Sequence, residues 1–138
     1  MRWDADKVIY RLEDAGRTLL LLPPEQRLSG LTAGSLRSIE DALERAQWFD
    51  QSNCRIVPSV SAIDRMNESL GWIALIDPDR CGIRRVVAAR ALVRPDTGKH
   101  LFAWWGLGRA LGFDHNTMKL WHRLGIGFIV AALNGAET

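Results

Sequence analysis

Chemistry in this chain concentrates between Trp104 and Arg123. Asn116, Lys119 and Arg123 stand three and four residues apart, so a helix presents them from one face. Asparagine suits a bidentate pair of hydrogen bonds to adenine, and lysine or arginine suits guanine. Thr117, near the start of the same helix, can donate to a phosphate. His115 and Leu120 are its other outward positions. Arg109, in the segment before, adds a cation of the kind that neutralises phosphate.

The same twenty residues obey the steric grammar of a helix-turn-helix. In that arrangement the fifth residue is small, because the two helices touch there. The ninth is glycine, because the turn needs a left-handed backbone. The fourth, eighth, tenth, fifteenth and eighteenth are apolar and fill the space between the helices. With Gly112 as the ninth residue, the fifth is Gly108, and the apolar set is Leu107, Leu111, Phe113, Met118 and Trp121. Asp114 then caps the second helix, which starts near His115. Gly106 runs against the pattern, since glycine weakens a helix interior by about 1 kcal/mol relative to alanine.

Other chemistry finds no constellation to carry it. His100, His115 and His122 have no cysteine or carboxylate pair at ligand spacing, so neither a metal nor a cofactor is expected. Asp64 and Glu68 lie at i and i+4, where a surface pair bridging to arginine is the simpler reading than acid–base work. No glycine-rich phosphate loop follows a strand. Serine and cysteine nucleophiles lack a base, and the chain is not expected to be an enzyme. The six tryptophans suit core anchors. Trp104 and Trp105 are the exception, because neighbours on a helix cannot both face one core, and one of them is free to meet another subunit.

Charge is distributed in a way that fits an anionic partner. Residues 1–79 carry 9 Lys+Arg against 13 Asp+Glu, and residues 80–138 carry 9 against 3, so a net of −4 and a net of +6 add to the overall +2. Besides Arg109, Lys119 and Arg123, the arginines Arg84, Arg85, Arg90 and Arg94 are expected to face phosphate, with Lys99 and His100 beside them. No apolar run reaches the roughly 18 residues of a membrane span. Cys54 and Cys81 form neither a metal spacing nor a disulfide framework, which points to a reducing, cytoplasmic setting.

Helical periodicity supplies the elements that must hold this segment. Trp3 precedes a capping Asp4, with Val8 at staple spacing. Val8, Leu12, Ala15, Leu19 and Leu22 follow on one face until Pro23-Pro24. After a loop over 25–34, a second helix is expected over Ser35–Trp48, with Leu36, Ile39, Leu43 and Ala46 inward. Gln51–Pro58 reads as a linker. A third helix, capped by Ser61, carries Ile63, Met66, Leu70, Ile73 and Ala74, broadened by Trp72 and Ile76. Asp77-Pro78 is expected to open a fourth helix running to about Val93, with Arg90 at the margin of its inward face. Arg94–Gly98 is a turn by composition. The expected fold is all-α, five to seven helices, with residues 1–52 as a helical hairpin and 58–138 as a helical domain holding the motif at 104–123.

Ordered blocks add a resemblance. Ser61-Ala62-Ile63-Asp64-Arg65-Met66-Asn67-Glu68, then Gly71-Trp72, Ala89-Arg90-Ala91 and the ending Ala132-Leu133-Asn134-Gly135 resemble a family of small bacterial and prophage proteins. That family carries an "IDRMDE…GW…ARA" block before a helix-turn-helix similar to sigma-factor region 4. The resemblance implies binding to DNA, expected to be double-stranded, and establishes no activity; a transcriptional regulator is the function expected first. Here Lys119, Leu120 and His122 stand where the family is richer in arginine, which implies a weaker hold. RNA polymerase, another protein or a second copy are the further partners considered. A small-terminase-like packaging protein and a module that binds only protein are the alternative functions.

Overall fold

The computed structural model describes residues 2–23, 26–46 and 57–135. Pro24, Trp48 and the expected linker as far as Ile56, Cys54 included, lie outside them. Among the described residues the protein is all-α: α1 (Ala5–Leu21), α2 (Ala33–Ala46), α3 (Val60–Gly71), α4 (Cys81–Ala91), α5 (Trp104–Leu111) and α6 (His115–Gly135), with a 3-10 turn over Trp72–Leu75.

Capping chemistry sets where α1 begins and ends. An Asp4 carboxylate oxygen accepts the Lys7 backbone N–H at 2.9 Å. At the far end the Arg27 Nε donates to the carbonyls of Leu19 and Leu22 at 3.3 and 3.0 Å, and so satisfies acceptors that a helix end leaves open. Val8, Leu12, Ala15 and Leu19 face inward as the periodicity requires. Trp3 packs edge-on against Trp72, with ring centroids 5.0 Å apart. Its backbone N–H and C=O exchange hydrogen bonds with the Asn134 amide at 2.8 and 3.0 Å, tying the start of the described chain to the end of α6.

Several boundaries differ from the sequence reading. Ser59, not Ser61, caps α3: its Oγ accepts the Ala62 N–H at 3.1 Å. Ser59 has the extended backbone that a cap needs, while Ser61 lies a residue inside the helix and accepts from Arg65 at 3.0 Å. Asp77-Pro78 does not open α4. The Asp77 carboxylate accepts the Asp79 N–H two residues on, at 2.9 Å, and the Asp77 carbonyl accepts the Arg80 N–H at 2.9 Å. Those bonds close a turn, and the helix starts only at Cys81. It stops at Ala91, where Leu92 takes an extended backbone (φ −74°, ψ 107°) and donates its N–H to the Ala89 carbonyl. Val93 instead faces His100 in an isolated antiparallel bridge, with Arg94 donating to Lys99 and Leu101 to Leu92.

One hydrophobic cluster runs through the molecule. It includes Val8 and Leu19 of α1, Ile39 of α2, Met66 and Leu70 of α3, Val86 of α4, Leu107 of α5 and Met118, Ile126 and Ile129 of α6. Residues on both sides of the expected 52/58 boundary thus contribute to the same cluster. In it, α1 lies along α3, while α4 holds α2 and α6. Gly125 sets the approach of α6 to α4. A Cβ there would lie 2.5 Å from a Val87 methyl and 2.9 Å from an Ile83 methyl. Arg84 fastens this assembly by donating to the carbonyls of Ile76, Gly34 and Ala74 at 2.8, 3.1 and 3.0 Å.

Candidate nucleic-acid interface

The turn between α5 and α6 is built from its two expected glycines. Gly112 has φ +83° and ψ +27°, the left-handed backbone that ends a helix. Its N–H and that of Phe113 both donate to the Gly108 carbonyl, at 2.8 and 2.9 Å. Gly108 is where the corner closes: a Cβ there would sit 2.5 Å from the Phe113 carbonyl oxygen. Asp114 opens α6 twice over. Its carbonyl accepts the Met118 N–H at 3.1 Å, and its carboxylate accepts the Asn116 N–H at 3.2 Å.

Burial within this corner follows the expected apolar set in part. Leu107, Gly108 and Met118 are buried, and Leu111 and Trp121 are half-buried. Phe113 is the correction. It is 50% exposed and lies against Trp121 with ring centroids 4.8 Å apart. The turn carries it over the outer edge of α6, so it covers Trp121 from outside.

The expected binding residues separate by their position on α6. Asn116, Lys119, Leu120 and Arg123 are exposed, as is Arg109 on α5. At 3.6 residues per turn, Asn116, Lys119 and Arg123 form one edge of the outer face, and Leu120 and Leu124 form the other. Among the described residues, Arg109, Lys119 and Arg123 make no ion pair. Thr117 and His115 are half-buried. The His115 ring stacks on Trp105 at 4.0 Å, with planes 24° apart, and its Nδ1 lies 3.3 Å from an Asp114 oxygen.

The arginines of α4 and the turn after it do not join this edge. Arg84 is held by the three carbonyls described above. Arg90 donates to the Phe102 carbonyl at 2.8 Å and lies over the Trp104 ring at 4.0 Å. Burial lowers its pKa, partly offset by Glu13. Arg85 approaches Asp41 at 4.0 Å, and Arg94 pairs with Asp96 at 3.0 Å. His100 bonds to Glu13 at 2.6 Å. A carbonyl or carboxylate within the protein is always at hand, whereas a phosphate must be captured from solution.

What residue spacing does not reveal is the pairing of the adjacent tryptophans with two histidines. Trp105 takes His115, and Trp104 takes His122, edge-on at 5.5 Å. Burial pushes the His122 imidazole down to about 4, and Arg90 and His100 push the same way. His122 is therefore neutral at pH 7 and belongs to the packing between α5 and α6. Trp105 itself is 72% exposed and stands four residues before Arg109. Among the described residues no three His, Cys, Asp or Glu side chains come together as a metal site, and no helix is long and apolar enough to cross a membrane. No protein-family model matches the chain, and no match was found among curated proteins or solved structures.

Proposed function

We propose that this protein binds double-stranded DNA through the corner formed by α5 and α6, as a transcriptional regulator of the phage or prophage type. One observation carries the reading. The outer edge of α6 presents Asn116, Lys119 and Arg123 to solvent, Arg109 of α5 is exposed as well, and these cations make no ion pair among the described residues. The Gly112 turn, the Asp114 cap and the Gly108 contact fix where α6 begins relative to α5, which a reading helix requires. The resemblance of the Ser61–Glu68 block is the ground for the prophage type. Neither a cofactor nor a catalytic group is needed for this role. The α1–α3 side then supports the corner and offers a surface to RNA polymerase or a second copy.

Fluorescence anisotropy across a salt series tests this. Binding through phosphates makes log K fall by about 0.9 per contact for each log unit of salt. Replacing Lys119 and Arg123 together by alanine should flatten the slope by up to about two units. Equal affinity and slope for both proteins would remove the α6 edge from the argument.

A second reading has its own observation. Leu120 and Leu124 are 47% and 41% exposed along the other edge of α6, and Phe113 in the turn before it is 50% exposed, which suits a protein partner. Mass in solution and selection from random DNA separate the readings. A packaging protein forms a ring, and a protein-binding module enriches no sequence.

A further inference from the structure

Trp105 is the largest side chain left open beside the cationic edge. One face of its indole is covered by the His115 ring at 4.0 Å and 24°, yet the residue remains 72% exposed. The opposite face is therefore open to solvent. The covering ring belongs to the first residue of α6, whose Nδ1 lies 3.3 Å from an oxygen of the Asp114 cap. Arg109 follows Trp105 by four residues and so rises from the same face of α5. Lys119 follows His115 by four on α6, so each ring of the stacked pair has an exposed cation one turn along its own helix. Asp114 is the acid at this place. Its carboxylate already accepts the Asn116 N–H and faces His115.

An open aromatic face flanked by cations has a defined complement: a planar ring on a phosphate-bearing strand. Paired bases inside a duplex have both faces covered by their neighbours, so away from a duplex end only an unpaired base can occupy such a platform. We propose that Trp105 stacks an unpaired nucleobase, and that this corner prefers DNA with a single-stranded extension or opening next to the duplex. The inference rests on the proposed DNA binding and names its substrate form. His115 acts as a positioning residue that keeps the indole flat, and Arg109 takes the phosphate of the stacked nucleotide.

The experiment compares three labelled probes by anisotropy at low salt: a blunt duplex, the same duplex with a single-stranded extension, and the single strand alone. Base stacking on an aromatic ring predicts that the extension tightens binding by about tenfold for the wild type. Trp105→Ala should bind the blunt duplex as the wild type does and lose the gain from the extension. Trp105→Phe should keep part of it, and His115→Ala should reduce it. Tryptophan fluorescence quenched by the extended probe in the wild type, and not in Trp105→Ala, would place the base on this ring. Circular dichroism melts confirm that each variant is folded. If Trp105→Ala keeps the full preference for the extension, or the wild type shows none, the platform is overturned while DNA binding stands. If the wild type binds none of the three probes, the DNA reading falls and the platform with it. A fall in the mass of the wild-type assembly on Trp105→Ala, with unchanged DNA binding, would assign the ring to a second copy and likewise overturn the proposal.

Discussion

On α4, Arg84 and Arg90 turn inward onto backbone carbonyls and an aromatic ring. On α5 and α6, Arg109, Lys119 and Arg123 stand in solvent. All five lie in the basic part of the chain and count alike toward its charge. They differ in what the fold places beside them. Arg84 faces the carbonyls left open where the 3-10 turn ends, and a guanidinium fork matches several such acceptors at once. The outer edge of α6 faces no other element. The contrast shows that net charge measures how many cations a region has, and packing decides how many can meet a ligand.

The largest expected effect is on the inward side. Arg84→Ala removes donors to three carbonyls on two elements. Charged hydrogen bonds contribute about 1.5–3 kcal/mol each but not additively, so a loss of about 4 kcal/mol in urea unfolding is expected. A change below about 1 kcal/mol would erase the distinction between the two sets of cations.

Next comes the packing beneath the outward edge. His122 has a pKa near 4 in the folded state against 6.5 for the free side chain. The unfolded chain therefore binds the proton more readily between those values. Stability is complete above about pH 6.5 and falls as pH drops toward 4, by at most about 3 kcal/mol. In His122→Leu that part of the pH dependence should vanish. Unfolding curves at pH 7 and pH 4.5 for both proteins decide this, and parallel curves would show that His122 is not buried in solution.

Gly108→Val sharpens the same comparison. Its side chain would press on the Phe113 carbonyl, at a cost of about 2 kcal/mol, and shift the edge of α6. Melting temperature should drop, and DNA affinity should fall with it. An unchanged melting temperature would mean that α5 and α6 do not meet at this residue.

The smallest effect on stability belongs to the outward cations. Replacing Lys119 and Arg123 by alanine should change unfolding by less than about 0.5 kcal/mol, because exposed residues without partners rarely contribute more. Thermal melts of the double variant measure this. A loss comparable to that of Arg84→Ala would show that these side chains serve the fold after all.

Local signals made much of the fold legible. Asp4 announced α1, and the three-and-four spacing of Val8, Leu12, Ala15 and Leu19 announced its buried face. Gly108, Gly112 and Asp114 marked the α5–α6 corner to the residue. Asp77-Pro78 misled, because an aspartate can close its own turn as readily as cap a helix. Phe113 misled because a turn residue's burial depends on what passes over it.

Amino-acid order by itself therefore determined the all-helical class, the inward stripe of α1 and the left-handed turn. Each of these depends on neighbours within a few residues, where backbone geometry is the same in any fold. Tertiary structure alone decided that Arg84 and Arg90 serve the protein itself, that His122 is neutral, and that Trp105 lies open on His115. Those outcomes depend on which distant carbonyl, ring or solvent-filled space meets a side chain, and the meeting partners are set by how the helices pack. Trp3 and Asn134, joined by two hydrogen bonds across nearly the whole chain, show the same physics: each is ordinary in its own segment, and only packing makes them a pair.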